Sequence, residues 1–124
     1  MAKILVIDDQ QVMCDLFYHT LKVKKHDVIT SNNVAEALKL IKKDKFDIIF
    51  LDVVLPEMNG LEIYKKIRET DKDVPVVMMT GFGNQVEKIK DEALKLGVYK
   101  CMDKPFDIIE IVNCIDELLS NKEG

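Results

Sequence analysis

The sequence lacks the features of membrane proteins, secreted proteins and disulfide-rich proteins. No apolar run approaches the length of a membrane-spanning helix, and the first apolar segment is too short for a secretory signal and runs directly into Asp8 and Asp9. The three cysteines, Cys14, Cys101 and Cys114, are an odd number without paired spacing, which favours reduced core thiols over disulfides or a zinc site. We therefore expect a soluble, cytoplasmic protein without membrane contact.

Positive charge is also in the minority. The formal net charge of −4 argues against a nucleic-acid-binding domain, because such a surface needs a basic stripe. The visible basic clusters, at residues 22–25 and 42–45, fall where two helices are predicted to end, and cations there complement the helix dipole. We expect no direct contact with nucleic acid.

The sequence alternates regularly between short apolar runs typical of strands and the spacing of apolar residues typical of helices. Its length suits one domain with one hydrophobic core. Short apolar runs predict strands at residues 3–7, 27–31, 47–51, 75–80 and 98–102. A helical pattern follows each strand. The apolar positions of the first, fourth and last helices are Val12, Met13, Leu16, Phe17 and Leu21; Val86, Ile89, Ala93 and Leu96; and Ile108, Ile111, Val112, Ile115, Leu118 and Leu119. We expect the domain to cover residues 1–121, with 122–124 as a frayed tail.

Five strands alternating with five helices indicate an α/β fold, a doubly wound and mostly parallel sheet with helices on both faces. Periodicity does not determine the order of the strands, although the flavodoxin-like order 2-1-3-4-5 is one of two common solutions.

Polar side chains follow four of the predicted strands. In a parallel sheet the carboxyl ends of these strands meet at the same edge, so the polar side chains lie there together. They are Asp8 and Asp9 after the first strand, Asp52 after the third, Thr80 after the fourth and Lys104 after the fifth. Neighbouring strands at about 4.8 Å spacing would bring them within roughly 15 Å of one another. Taken singly, Asp8 is more often a helix cap, Thr80 a turn residue and Lys104 a solvated lysine. Together they predict a functional site.

Four stretches resemble the response regulator receiver domains of two-component signalling. They are Ile7-Asp8-Asp9, then Leu51-Asp52-Val53-Val54-Leu55-Pro56-Glu57-Met58-Asn59-Gly60, then Met79-Thr80-Gly81, and finally Asp103-Lys104-Pro105-Phe106. The resemblance extends from end to end of the chain. It implies a flavodoxin-like (βα)5 sheet of five parallel strands in the order 2-1-3-4-5.

The resemblance also implies a site that binds Mg²⁺. Asp9 and Asp52 would bind the ion through carboxylate oxygens, the backbone carbonyl of Val54 would be a third ligand, and Asp8 would act mainly through metal-bound water. An oxygen-only ligand set with retained waters suits the octahedral geometry that magnesium requires.

The remaining roles concern the phosphoryl group. Asp52 would accept it from a phosphohistidine, Lys104 would pair with its oxygens, and Thr80 would donate a hydrogen bond to it. The protein would then be a signalling switch rather than an enzyme, catalysing only its own phosphorylation and dephosphorylation.

The partners that the resemblance implies are a histidine kinase or histidine phosphotransfer protein, and a downstream protein. The first would dock on the first helix, near Gln10, Gln11, Cys14 and Phe17, and the second on the face made by the fourth helix, fifth strand and fifth helix. The sequence leaves open whether the chain acts alone or belongs to a longer regulator.

The sequence departs from the family at Cys101, where receivers usually carry a Tyr, Phe or His whose rotation is coupled to the threonine. Strand alternation predicts that Tyr99 lies on the same face as Cys101 and substitutes in part. The resemblance therefore does not say how Thr80 is coupled to the rest of the molecule.

Two other classes use similar residues. A hydrolase with an aspartyl-phosphate intermediate would carry its nucleophile after the first strand and a second acid two residues on, whereas Asp8 and Asp9 are adjacent. A flavin or nucleotide module would need a glycine- or hydroxyl-rich loop there, and Gln10-Gln11-Val12 offers none. Turnover of a phosphate ester would favour the first class, and a bound cofactor the second.

Overall fold

The computed structural model describes residues 2–53, 58–81, 86–104 and 107–123. In these ranges five strands alternate with five helices. They are β1 (Lys3–Ile7), α1 (Gln11–Val23), β2 (Asp27–Ser31), α2 (Val34–Lys43), β3 (Ile48–Asp52), α3 (Gly60–Thr70), β4 (Val76–Thr80), α4 (Val86–Leu96), β5 (Lys100–Asp103) and α5 (Ile108–Glu123). None of these helices is long and apolar enough to cross a lipid bilayer.

The strands form one parallel sheet in the order β2-β1-β3-β4-β5, which confirms the predicted fold and strand order. From β1 the chain passes to β2 on one side and then crosses back to β3 on the other. The crevice at such a reversal, beyond the carboxyl ends of the strands, is where open α/β sheets bind ligands. In the register of the sheet, Asp52 lies beside Met79, and Thr80 lies beside Asp103.

An apolar layer covers each face of the sheet, because alternate side chains of a strand point to opposite faces. Strand β3 shows this well, since all five of its residues are buried. Ile49 and Leu51 pack with residues of α2, α3 and α4, whereas Ile48 and Phe50 pack with residues of α1 and α5. Asp52 stands at the end of this buried strand.

The start of α3 is built against the end of β3. The Asn59 side chain accepts a hydrogen bond from the Glu62 amide at 3.0 Å, which is the contact expected of asparagine at a helix N-cap with glutamate three residues later. The Gly60 amide donates to the Val53 carbonyl at 2.7 Å. A Cβ atom at residue 60 would lie 2.8 Å from the Val53 Cα, so this close approach requires glycine.

Three residues predicted to be buried are exposed instead among the side chains that the structure describes, which do not include that of Val86. Val12 is 82% exposed, Leu96 47% and Ile108 45%. Periodicity identified the correct side of each helix but overestimated how much of it the sheet covers. In α1 the buried residues are Cys14, Phe17 and Leu21.

Two element boundaries also differ from the prediction. Strand β5 covers Lys100–Asp103 rather than 98–102, because the Val98 amide is used in the turn that terminates α4. Gly97 has a φ of 107° and the Val98 amide donates to the Ala93 carbonyl at 3.1 Å, which is a glycine-type helix termination. Helix α5 continues to Glu123, through the segment in which fraying was expected.

Candidate functional site

Three acidic residues meet at the carboxyl ends of β1 and β3. Asp8 follows β1 and is completely buried, Asp52 ends β3 and is 6% exposed, and Asp9 is exposed to solvent. One carboxylate oxygen from each lies within 4.8 Å of the others. The structure therefore brings together the three predicted acidic ligands. The fourth predicted ligand, Val54, lies outside the described residues.

Lys104 joins this cluster from the loop after β5. Its Nζ donates to Asp8 Oδ2 at 3.0 Å and to Asp52 Oδ2 at 3.4 Å, and its side chain is only 17% exposed. Burial opposes the charged form, but the hydrogen bond to Asp8 and the charges of Asp52 and Asp8 outweigh it, so the pKa of Lys104 is raised. The lysine therefore stays protonated at neutral pH, and one cation is shared by two buried carboxylates.

Asp8 also shapes the start of α1. Its Oδ1 accepts a hydrogen bond from the Gln10 amide at 2.9 Å, while its backbone carbonyl accepts one from the Cys14 thiol at 3.3 Å. Asp8 therefore orders the turn into the helix as well as binding Lys104. Burial and the nearby charge of Asp8 raise the pKa of Cys14 to about 11, which keeps this thiol protonated and unreactive.

The Thr80 hydroxyl makes its contacts with β5. It donates to Asp103 Oδ1 at 2.8 Å and lies 3.4 Å from the Met102 carbonyl oxygen. The same Asp103 oxygen accepts a hydrogen bond from Lys90 Nζ of α4 at 3.1 Å. The hydrogen bonds from Thr80 and Lys90 lower the pKa of Asp103.

Sequence reasoning missed these roles of Asp103 and Lys90. The register that pairs Thr80 with Asp103 would have revealed the first contact. The second depends on the rotation of α4, which the sequence pattern does not define.

A cavity of about 240 Å³ opens beside the acidic cluster. Its walls include Asp9, Asp52 and Lys104, together with Gln10 and Gly81. A Cβ atom at Gly81 would meet no atom of the described part of the chain within 4 Å, so among those residues the wall is open there. A small anionic group entering the cavity would reach both the Asp52 carboxylate and the Lys104 ammonium.

The chemistry of the acidic cluster fits a small divalent cation. Three carboxylates and one ammonium leave a net charge of −2, and the oxygen donors are those that hard cations prefer. Since Asp9 faces solvent, a bound ion would retain waters, as Mg²⁺ does.

Tyr99 does not lie on the same face as Cys101, so that prediction was wrong. Cys101 packs with the apolar layer on the α2, α3 and α4 side, whereas Tyr99 packs with the layer on the α1 and α5 side. Tyr99 precedes the first residue of β5, and strand alternation does not apply to it. Its hydroxyl donates to Glu117 Oε1 at 2.6 Å, and this hydrogen bond raises the pKa of Tyr99 to about 12.

Comparison with known proteins gives consistent matches. A family profile described as the response regulator receiver domain matches residues 4–116. The alkaline phosphatase synthesis transcriptional regulatory protein PhoP of Bacillus subtilis is 35% identical over 121 residues, which cover 98% of this chain and 50% of PhoP. Sporulation initiation phosphotransferase F of the same organism is 32% identical over 122 residues, which cover 98% of this chain and 97% of that protein. The chain thus spans about half the length of the first relative and nearly all of the second.

Solved structures agree with these sequence matches. A two-component response regulator from Clostridium difficile superposes with a TM-score of 0.91 at 27% identity, and the match covers 100% of both chains. Chemotaxis protein CheY4 of Vibrio cholerae superposes with a TM-score of 0.84 at 31% identity, covering 95% of this chain and 98% of that one.

Proposed function

The chain belongs to the response regulator receiver family, whose signalling depends on phosphorylation, and from this premise we propose that Asp52 is its phosphoacceptor. The observation that carries the proposal is the position of Asp52. It ends the central strand, lines the open cavity, and has the Lys104 ammonium at 3.4 Å.

In the proposed reaction an Asp52 carboxylate oxygen attacks the phosphorus of a phosphohistidine. The new O–P bond forms as the N–P bond breaks, and the imidazole, whose other ring nitrogen carries a proton, leaves as a neutral base. Phosphoryl transfer needs positioning and charge neutralisation more than covalent assistance. Lys104 provides a movable positive charge for the oxygens of the group, and Thr80 provides a hydroxyl donor once the group has arrived.

The proposed metal ligands are Asp8, Asp9, Asp52 and the backbone carbonyl of Val54, with Mg²⁺ as the ion. When bound, the ion supplies positive charge that offsets the phosphoryl oxygens and the acceptor carboxylate. Lys104 donates to Oδ2 of Asp8 and to Oδ2 of Asp52, and the Gln10 amide donates to Oδ1 of Asp8, so these contacts hold both carboxylates at the edge of the cavity. Asp8 would act mainly through metal-bound water.

The proposed partners are a histidine kinase or histidine phosphotransfer protein on the α1 side, and a downstream protein on the α4, β5 and α5 face. Exposed Val12 lies one turn from the site and gives the α1 surface an apolar contact. We assign the receiver domain to residues 1–121. The relatives include a phosphotransferase of about the same length and a transcriptional regulator of about twice the length. They support a role either as a phosphoryl carrier or as part of a longer regulator.

The test is incubation with acetyl phosphate and Mg²⁺, followed by intact mass measurement. We expect one phosphoryl adduct on the wild-type chain and none on Asp52→Asn. Asp73→Asn is the matched control, because it makes the same change at an exposed carboxylate away from the site. An adduct that persists in Asp52→Asn would refute the assignment. Sustained release of phosphate from a phosphate ester would favour a hydrolase instead.

A further inference from the structure

The Thr80 hydroxyl can serve only one acceptor at a time, because a hydroxyl has a single proton to donate. That proton is directed to Asp103 Oδ1 at 2.8 Å, the shorter of its two contacts. The acceptor is an ionised carboxylate, and hydrogen bonds to charged groups are about twice as strong as neutral ones. To donate to any other group, Thr80 must first leave Asp103.

We propose that Asp103 is a positioning residue that holds the Thr80 hydroxyl on β5 until Asp52 is phosphorylated. The inference rests on the proposed function, in which Thr80 donates to a phosphoryl oxygen. Asp103 and the phosphoryl group then compete for the same proton, so Asp103 opposes phosphorylation and the phosphoryl group releases Asp103.

The burial of the two partners makes this exchange feasible. Thr80 is completely buried, so its hydroxyl has no bulk water as an alternative acceptor. The Asp103 side chain is 71% exposed, so water can hydrate it when the hydroxyl leaves. The backbone need not separate, since the Lys104 amide donates to the Thr80 carbonyl at 2.6 Å independently of the side chain.

Lys90 connects this arrangement to α4. Its Nζ and the Thr80 hydroxyl bind the same oxygen of Asp103, so the carboxylate is held from β4 and from α4 at once. When Thr80 leaves, Asp103 keeps only the Lys90 contact among those described here. The state of the phosphoacceptor is thereby communicated to a helix that has no predicted site residue of its own.

A double-mutant cycle tests the inference. The variants are Asp103→Ala, Thr80→Val and their combination, and Asp73→Ala controls for the loss of one negative charge at an exposed position. The rate of Asp52 phosphorylation by acetyl phosphate and Mg²⁺ is followed by intact mass, with thermal melting to verify folding. We expect Asp103→Ala to accelerate phosphorylation about threefold or more when Thr80 is present, and to have no effect when residue 80 is valine.

Two results would overturn the inference. Asp103→Ala at or below the wild-type rate would show that Asp103 does not restrain Thr80. The same acceleration with valine at residue 80 would show that only the negative charge of Asp103 matters. If Thr80→Val does not fold, Thr80→Ala provides the second background and the same criteria apply. A wild-type chain that takes no phosphoryl group on Asp52 would refute the proposed function itself, which distinguishes the two failures.

Discussion

Replacing Lys104 with methionine tests the electrostatic basis of the site. Methionine keeps an unbranched, mainly apolar side chain of similar length but removes the ammonium that Asp8 and Asp52 share. Among the described residues, Lys104 is the cation within salt-bridge distance of both carboxylates. The variant therefore leaves a cluster of three acids without its compensating charge.

The cost follows from burial. Asp8 is completely buried and the Asp52 side chain is 8% exposed, so water cannot fully replace the lysine. Breaking a buried ion pair by removing one partner costs about 3 to 5 kcal/mol, and the open cavity at Asp9 favours the lower end, about 3 kcal/mol. For a domain of this size that loss corresponds to roughly 10 °C in melting temperature.

Urea unfolding with a metal chelator measures this cost, with Lys100→Met as the control. Lys100 is an exposed lysine on the same part of the chain, and its replacement should change the free energy of unfolding by less than about 0.5 kcal/mol. Adding Mg²⁺ should recover more stability in Lys104→Met than in wild type, because the ion replaces the missing positive charge.

The pH dependence gives a second criterion. The pKa of Lys104 is raised in the folded protein. Its contribution to the free energy of unfolding is therefore complete below the ordinary lysine pKa of 10.5, and it is lost as the pH rises through the higher pKa of the folded protein. The difference between wild type and Lys104→Met should therefore be constant from neutral pH to 10.5 and then shrink. If both lysine variants have the same stability in chelator, the reasoning is refuted.

Three further predictions concern other parts of the molecule. Asp52→Asn should raise the metal-free free energy of unfolding by about 1 kcal/mol, because in the described part of the chain two carboxylates lie against Asp52 and one ammonium does; lower stability in urea would contradict this. Gly60→Ala should lower the free energy of unfolding by about 2 kcal/mol, since the new Cβ would lie 2.8 Å from the Val53 Cα. An unchanged urea midpoint would count against that contact. Burial lowers the pKa of His26, whose Nδ1 accepts a hydrogen bond from the Ala2 amide, so wild type should lose stability relative to His26→Asn as the pH falls below 6.5; parallel pH profiles would disprove it.

The sequence predicted most of the fold because the three inner strands, β1, β3 and β4, are buried on two faces. In β3 an unbroken apolar run ends at Asp52, and such a run has few alternatives to a central parallel strand. The strand order needed the family resemblance, since periodicity carries no information about which strands are neighbours. The exposure of Val12 was missed for a related reason, because periodicity does not say how far a helix sinks into its layer.

Part of the candidate site could be predicted from the sequence and part could not. Residues that directly follow strands, such as Asp8 and Lys104, could be placed at one edge from topology alone. The contacts of Asp103 with Thr80 and Lys90 could not, because they depend on the register of β5 and on the rotation of α4. The roles assigned to the site residues stay predictions until the phosphorylation experiments are done.

The middle position of β3 has a mechanical consequence. Its backbone is bonded to β1 on one side and to β4 on the other, and its last residue is followed by the close packing of Gly60 on Val53. A strand clamped along both sides cannot slide to accommodate a new charge at its tip. The backbone at Asp52 is therefore held in place. A change of charge at its carboxylate must be accommodated by the side chains and loops around it rather than by movement of the sheet.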